Sequence, residues 1–410
     1  MKTTNILLVF LISTILIFGC KKDKQDSNPE NEMFANAVWT WDSEQTMGFS
    51  SSPVPAIDLQ NNSFFIVKSS TGINIVSLDQ YGVKNWTVDR SNDSFSNSSG
   101  SVVLSENRLY YSSGRALFCY NKENGEEVWH FELESQSFYH NMLIKNNEAW
   151  ITYGEGSQVM LKKLNSNGTE VWTVGYPNYS TNLGMASSGQ KLILLNKDLF
   201  AYHVDVLSVS MLDGSVYWIT NPDIESAGKD PVIDTDGNVY FSTFEGELVA
   251  LNGEDGSIRW TFQDLTGQKG ERFVNQGAIN LLPNKDVIFS TTNLYCFDNN
   301  GIQKWKNSMD PVCSFTLGNN NILYGWMGYE YYDISIVAIN ASDGEMLPNN
   351  SSIIDTDLSW MVPPLAIDHQ GNIIAVGFEK IYCITSLSTS LEEKGWSKIG
   401  KGYQNNCNMD

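Results

Sequence analysis

Residues 228–262 read GKDPVIDTDGNVYFSTFEGELVALNGEDGSIRWTF. Turn residues at Asp236-Gly237-Asn238, Glu245-Gly246 and Asp255-Gly256 divide this stretch into four short apolar or alternating runs. Gly and Asn accept the positive φ of tight turns at little steric cost. Between the turns, Val239-Tyr240-Phe241 and Leu248-Val249-Ala250-Leu251 have the β-branched and aromatic composition, and the length, of strands. The segment therefore predicts four antiparallel strands joined by hairpins.

The same unit recurs along the chain. Gly is followed four residues later by Trp at Gly82–Trp86, Gly125–Trp129, Gly168–Trp172, Gly214–Trp218, Gly256–Trp260 and Gly301–Trp305. The Trp residues stand 43, 43, 46, 42 and 45 positions apart. A strand ending in Asp or Asn precedes each Gly, as in Ser77-Leu78-Asp79 and Cys296-Phe297-Asp298. A seventh copy keeps Ala338-Ile339-Asn340 and Gly344 but carries Pro348 in the Trp position, and an eighth, residues 363–385, keeps only the first half. Four strands in some 42–46 residues is the length of a propeller blade. No stretch of the mature chain sustains a helical period. Val38-Trp39-Thr40-Trp41-Asp42 looks like an outer strand without a blade of its own. If it completes the last unit, the ring closes without open sheet edges. The expectation is an all-β, eight-bladed β-propeller of four-stranded antiparallel blades, closed by an N-terminal outer strand; seven blades is the alternative count.

The N-terminus sets the compartment. Ile6 to Phe18 is a mostly apolar run of 13 residues behind Met1-Lys2. It is too short to span a bilayer of about 30 Å and reads as the core of a signal peptide. Ile17-Phe18-Gly19-Cys20 resembles the lipobox of bacterial lipoproteins, in which the Cys is acylated and becomes the first mature residue. Residues 21–32 contain no apolar side chain and read as a solvated tether. The expected organisation is signal peptide 1–19, lipidated Cys20 with tether 20–37, one propeller 38–400 and a C-terminal tail 401–410, with the protein held on the outer membrane by its lipid.

Residues 38–400, through the Gly-x-x-x-Trp copies and a closing segment at Gly395-Trp396 and Asn405-Asn406, resemble the quinoprotein-like (PQQ-like) repeat family of eight-bladed propellers. Joined to the lipobox, the pattern is similar to the propeller lipoproteins of the outer-membrane β-barrel assembly machinery. That resemblance implies protein-binding surfaces rather than a reaction centre. The enzymatic branch of the family implies a vicinal Cys pair beside the quinone and a calcium held by acidic and amide ligands. None of the six Cys here is adjacent to another, and no Cys-x-x-Cys-His offers a haem attachment. The expectation is a non-catalytic scaffold with no cofactor and no metal.

Charge narrows the partners further. The 410 residues carry 47 acidic against 26 basic side chains, a net charge of −21, which disfavours nucleic acid and anionic lipid surfaces. His130, His140, His203 and His369 share no spacing and serve no nucleophile motif. Trp39, Trp86, Trp129, Trp172, Trp218, Trp260 and Trp305, on outer strands, are assigned to packing between blades. Cys119, Cys296 and Cys383 occupy one repeat position, taken by Ala250 and Ala338 elsewhere, and read as buried small apolar groups. Cys313 and Cys407 are left over, and their pairing is open. Asp234-x-Asp236-Gly237-Asn238 lacks the spacing of a calcium loop and reads as a hairpin turn.

Departures from the repeat point to function. Two turns between second and third strands are long: residues 196–205 in the fourth unit and the aromatic 325–333 in the seventh. Trp326, Tyr329, Tyr331 and Tyr332 are the candidate partner-binding residues, with packing on neighbouring blades as the competing role. The expected function is a monomeric, lipid-anchored extracytoplasmic scaffold that mediates protein–protein interaction with envelope partners, with outer-membrane protein assembly as the specific role that the resemblance implies. A polysaccharide- or small-ligand-binding propeller, or a quinone-dependent oxidoreductase, is the alternative.

Overall fold

Strand-forming runs and positive-φ turns alternate through the whole chain, and the structure resolves them into eight antiparallel sheets. The computed structural model describes residues 37–42, 54–69, 72–90, 102–134, 139–200, 203–225, 227–228, 230–243, 245–265, 278–291, 293–308, 315–329, 332–347, 352–353, 365–376, 380–388, 390 and 408–409. Among these residues there is no helix. The sheets are the blades of an eight-bladed β-propeller within one unit, residues 32–410. Blade 4 is built from Tyr179–Ser188, Lys191–Asp198, Val204–Ser210 and Val216–Thr220, and blade 5 from Val232–Ile233, Val239–Ser242, Glu247–Leu251 and Ile258–Gln263. Inner strands are buried on both faces, whereas outer strands alternate, as in the exposed and half-buried pattern of Glu127–Glu132.

The N-terminal strand closes the ring as expected. Trp39–Asp42 pairs antiparallel with Lys380–Ile384 and supplies the outer strand of blade 8. Blade 8 then meets blade 1: the His369 amide donates to Asn61 Oδ1 at 2.9 Å. One addition was not expected. Asn408–Met409, in the tail, pairs parallel with Ser187–Ser188 on the inner edge of blade 4 and makes that sheet five-stranded.

The repeated Gly and Trp meet across blade boundaries. Each Gly adopts φ between +73° and +82°, and the Trp of the preceding blade lies against it. A Cβ at Gly82, Gly125, Gly168 or Gly301 would stand 2.6–2.9 Å from the ring of Trp39, Trp86, Trp129 or Trp260. Gly is required there twice over, for its φ and for the space. The indole N–H groups of Trp39, Trp86, Trp129, Trp218, Trp260 and Trp305 each donate to a carbonyl of the next blade's turn, at 2.9–3.3 Å.

Two junctions differ. Between blades 3 and 4, the Trp172 indole N–H is buried with no partner among the described residues. Trp150, on the second strand of blade 3, instead donates to Met211 O at 3.2 Å, and Tyr176 Oη donates to Gly214 O at 2.8 Å. Between blades 7 and 8, where Pro348 replaces Trp, Tyr324 Oη accepts from the Leu387 amide at 3.1 Å and Asn320 Nδ2 donates to Leu387 O at 2.9 Å. Trp326 lies on the same strand face as Tyr324 and is completely buried in the core shared by blades 7, 8 and 1. Its place is the junction that lacks a repeat Trp.

Gly168→Ala should lower stability by about 2–4 kcal/mol, from left-handed strain plus overpacking against Trp129. Gly156, φ +62° with open space around it, should lose only about 1 kcal/mol on the same change. Trp150→Phe should cost about 1–3 kcal/mol by stranding Met211 O. Trp172→Phe should cost less. Urea titration of the four variants orders these effects; equal losses for Gly156→Ala and Gly168→Ala would count against the docking role.

Candidate functional site

Turns between first and second strands, and between third and fourth, share one end of the ring with the Gly–Trp contacts. Hairpins joining second to third strands project from the other end, and most are short. In blade 5 the Gly246 amide returns to Thr243 O, and in blade 6 the Thr291 amide bonds Asn293 O. Blades 4 and 7 carry the long ones, on either side of this low stretch.

The blade 4 hairpin stands on a buried polar network. Asn141 Nδ2 and Thr152 Oγ1 of blade 3 donate to Asn182 Oδ1 at 2.8 and 3.1 Å, and Asn182 Nδ2 donates to Asn196 Oδ1 at 2.8 Å. Buried amides bonded this way fix one arrangement of the two blades. Above them Tyr179 Oη donates to Asp205 Oδ2 at 2.8 Å, and His203 Nε2 lies 3.1 Å from Asp205 Oδ1. Burial, then the Asp205 carboxylate, pushes the Tyr179 hydroxyl well above its ordinary pKa. At the tip, Asp198 Oδ1 accepts from the Phe200 amide at 2.7 Å, and Phe200 is 71 % exposed.

In blade 7, the stretch read as a loop is the end of a hairpin. Ile322–Tyr329 pairs with Tyr332–Asn340, and Tyr329 faces Tyr332 across its end. Tyr331 lies outside the described residues, as do Cys20, Pro348, Cys313 and Cys407. Trp326 is corrected: its burial removes it from any docking surface. Phe200 lies inside the long turn read from sequence, where nothing in the letters separates it from its neighbours Leu199, Ala201 and Tyr202.

Between the two hairpins the rim is acidic. Asp264, at the end of the blade 5 outer strand, is buried and its Oδ2 accepts from Thr291 Oγ1 at 2.5 Å and Asn293 Nδ2 at 3.4 Å. Beside it, burial and then Glu245 raise the pKa of Glu247.

The family model described as outer membrane protein assembly factor BamB matches residues 71–245 and 203–408. The chain belongs to the BamB family. Among solved structures, BamB from Moraxella catarrhalis aligns with a TM-score of 0.59 at 12 % identity, covering 86 % of this chain and 99 % of that one. A europium-containing methanol dehydrogenase aligns at 0.63 and 8 % identity, covering 88 % and 85 %. The quinohemoprotein alcohol dehydrogenase of Comamonas testosteroni aligns at 0.64 and 11 %, covering 85 % and 76 %. At such identities the likeness is one of fold. No curated protein matches the chain.

Because the BamB family shares its fold with quinone enzymes, the donor set here matters. Among the described residues no three His, Cys, Asp or Glu side chains are grouped to hold a metal ion. Cys119, Cys296 and Cys383 are free thiols buried in three different blades. These residues do not fit the vicinal-thiol and calcium arrangement. The Asp234 segment is a turn: Asp234 Oδ1 accepts from the amides of Asp236 and Asn238 at 2.9 and 2.8 Å.

Burial pushes the Cys119 thiol up to about 11 and those of Cys296 and Cys383 up to about 12, from an ordinary 9.0. The folded state thus holds these protons more tightly than the unfolded chain does. Their contribution to stability is complete below pH 9 and is lost as pH rises through the folded values. The three thiols should resist a thiol reagent at pH 8 until denaturant is added, and the melting temperature should fall above pH 9. Rapid labelling of any of them in the native protein would overturn their assignment to the core.

Proposed function

We propose that this chain is a monomeric, lipid-anchored scaffold that binds envelope proteins during outer-membrane protein assembly. The lipid is carried by Cys20, behind a cleaved signal peptide of residues 1–19. The carrying observation is the pair of long hairpins on blades 4 and 7, on one face of a closed ring, with an acidic rim between them. A propeller is stiff, so the hairpins are presented in a fixed relation and a partner does not have to order them on binding. Phe200, exposed at a tip whose base is bonded into blade 3, is the apolar anchor of this surface. Tyr329, Tyr331 and Tyr332 are proposed to supply the second contact, and the Glu245–Glu247 stretch favours a basic partner. Membership of the BamB family supports the reading.

The test is crosslinking in intact membranes followed by capture of the full chain. The wild type should recover β-barrel assembly components. Phe200→Ala combined with Ala at Tyr329, Tyr331 and Tyr332 should reduce recovery about tenfold or more, as expected for loss of aromatic anchors. An unchanged set of partners with the quadruple variant would sink the hairpin surface. A quinone absorbance acquired on incubation with pyrroloquinoline quinone and calcium would favour the oxidoreductase reading instead.

A further inference from the structure

Outer strands of a propeller are sheet edges, and edges left apolar invite another strand. Here nearly all are guarded by charge: Lys84 and Asp89 in blade 1, Glu127 and Glu132 in blade 2, Glu170 in blade 3, Arg259 in blade 5, Lys304 and Lys306 in blade 6, and Asp42 in blade 8. The outer strand of blade 4 is different; among the described outer strands only the two-residue Ser352–Ile353 of blade 7 is likewise uncharged. It reads Val216-Tyr217-Trp218-Ile219-Thr220, with no charged residue. Val216, Tyr217 and Ile219 are 43, 52 and 55 % exposed, and Leu212, in the preceding turn, is 67 % exposed. No strand among the described residues pairs with its outer edge.

We infer that this edge is a docking site for one extended strand of a partner protein, apolar in its centre and flanked by Lys or Arg. The occupant is a strand because backbone N–H and C=O groups along an apolar edge are best satisfied by another backbone, while alternate side chains read the Val216, Tyr217 and Ile219 row. Its basic flanks follow from the charge around the edge. Asp213 stands just before the strand and Asp223 just after it, and Glu254 and Asp255 are exposed on the adjoining blade 5 turn. Ser215 donates to Asp213 and Ser257 to Asp255, which holds both carboxyls below their ordinary pKa. Tyr217 also borders a groove of about 410 Å³ between blades 4 and 5, with Lys191, Asp236 and Glu254 in its lining. A second copy of this chain is a poor occupant. Antiparallel self-pairing centred on Trp218 sets Asp213 of one copy opposite Asp223 of the other, between two chains of net charge −21. The inference rests on the scaffold reading only in taking the partner to be a protein, and it uses a different surface from the hairpins.

The test uses the full chain in detergent and the peptide KKTVTVTVKK as probe. Saturable binding should protect the amides of residues 216–220 from hydrogen exchange. Methylating alternate peptide amides should abolish that protection, and replacing the terminal Lys pairs by Glu should weaken binding in a salt-dependent way. Ile219→Lys and Ile219→Glu should both weaken it about tenfold. Loss with Lys alone would reduce the effect to charge attraction and overturn the proposal, as would protection centred on another blade. Membrane crosslinking separates this idea from the scaffold reading. If Ile219→Lys keeps every partner that the wild type captures, the edge proposal fails and the scaffold stands; if the wild type captures none, the scaffold reading fails whatever the peptide does.

Discussion

A tryptophan ring lying flat against a glycine of the next blade is the contact on which the ring depends. The glycine provides a positive φ that turns the chain into the outer strand, and its missing Cβ leaves the space that the indole fills. The indole N–H then bonds a carbonyl of the same turn, so that one side chain sets both the distance and the register of neighbouring blades. Each contact removes a large apolar ring from water. Because blade 8 is completed by the N-terminal strand, Trp39 docks on Gly82 and the series joins its own beginning.

The exceptions obey the same physics. Where Trp172 leaves its carbonyl unused, Trp150 takes that bond from an inner strand. Where Pro348 removes the ring altogether, Trp326 and Tyr324 fill and bond the junction from the second strand of blade 7. A junction needs an aromatic body and a donor or acceptor at the turn. It does not need them from a fixed position.

Departures from regularity gather on blade 4. It has a ten-residue inner strand, an added C-terminal strand, a long hairpin anchored to blade 3 and an outer edge without charge. Its neighbours hold it rigidly, so these features are presented rather than formed on contact. Such a blade suits the scaffold role proposed for this chain.

Much of this was legible in the chain itself. A period near 43 residues, four apolar runs per period and one Gly-x-x-x-Trp in each of six units are local patterns, and local patterns survive in a string of letters. They determined the blade, the count of eight, the N-terminal closure and the burial of Cys119, Cys296 and Cys383. Trp326 was misread because the sequence around it is aromatic and irregular, which describes a docking loop and a repaired junction equally well. Only the tertiary structure placed it in the core, put Trp150 at Met211, and left Phe200 and the Val216–Thr220 edge in solvent. Those outcomes depend on which surfaces neighbouring blades cover, and that coverage is decided by residues 40 or more positions away.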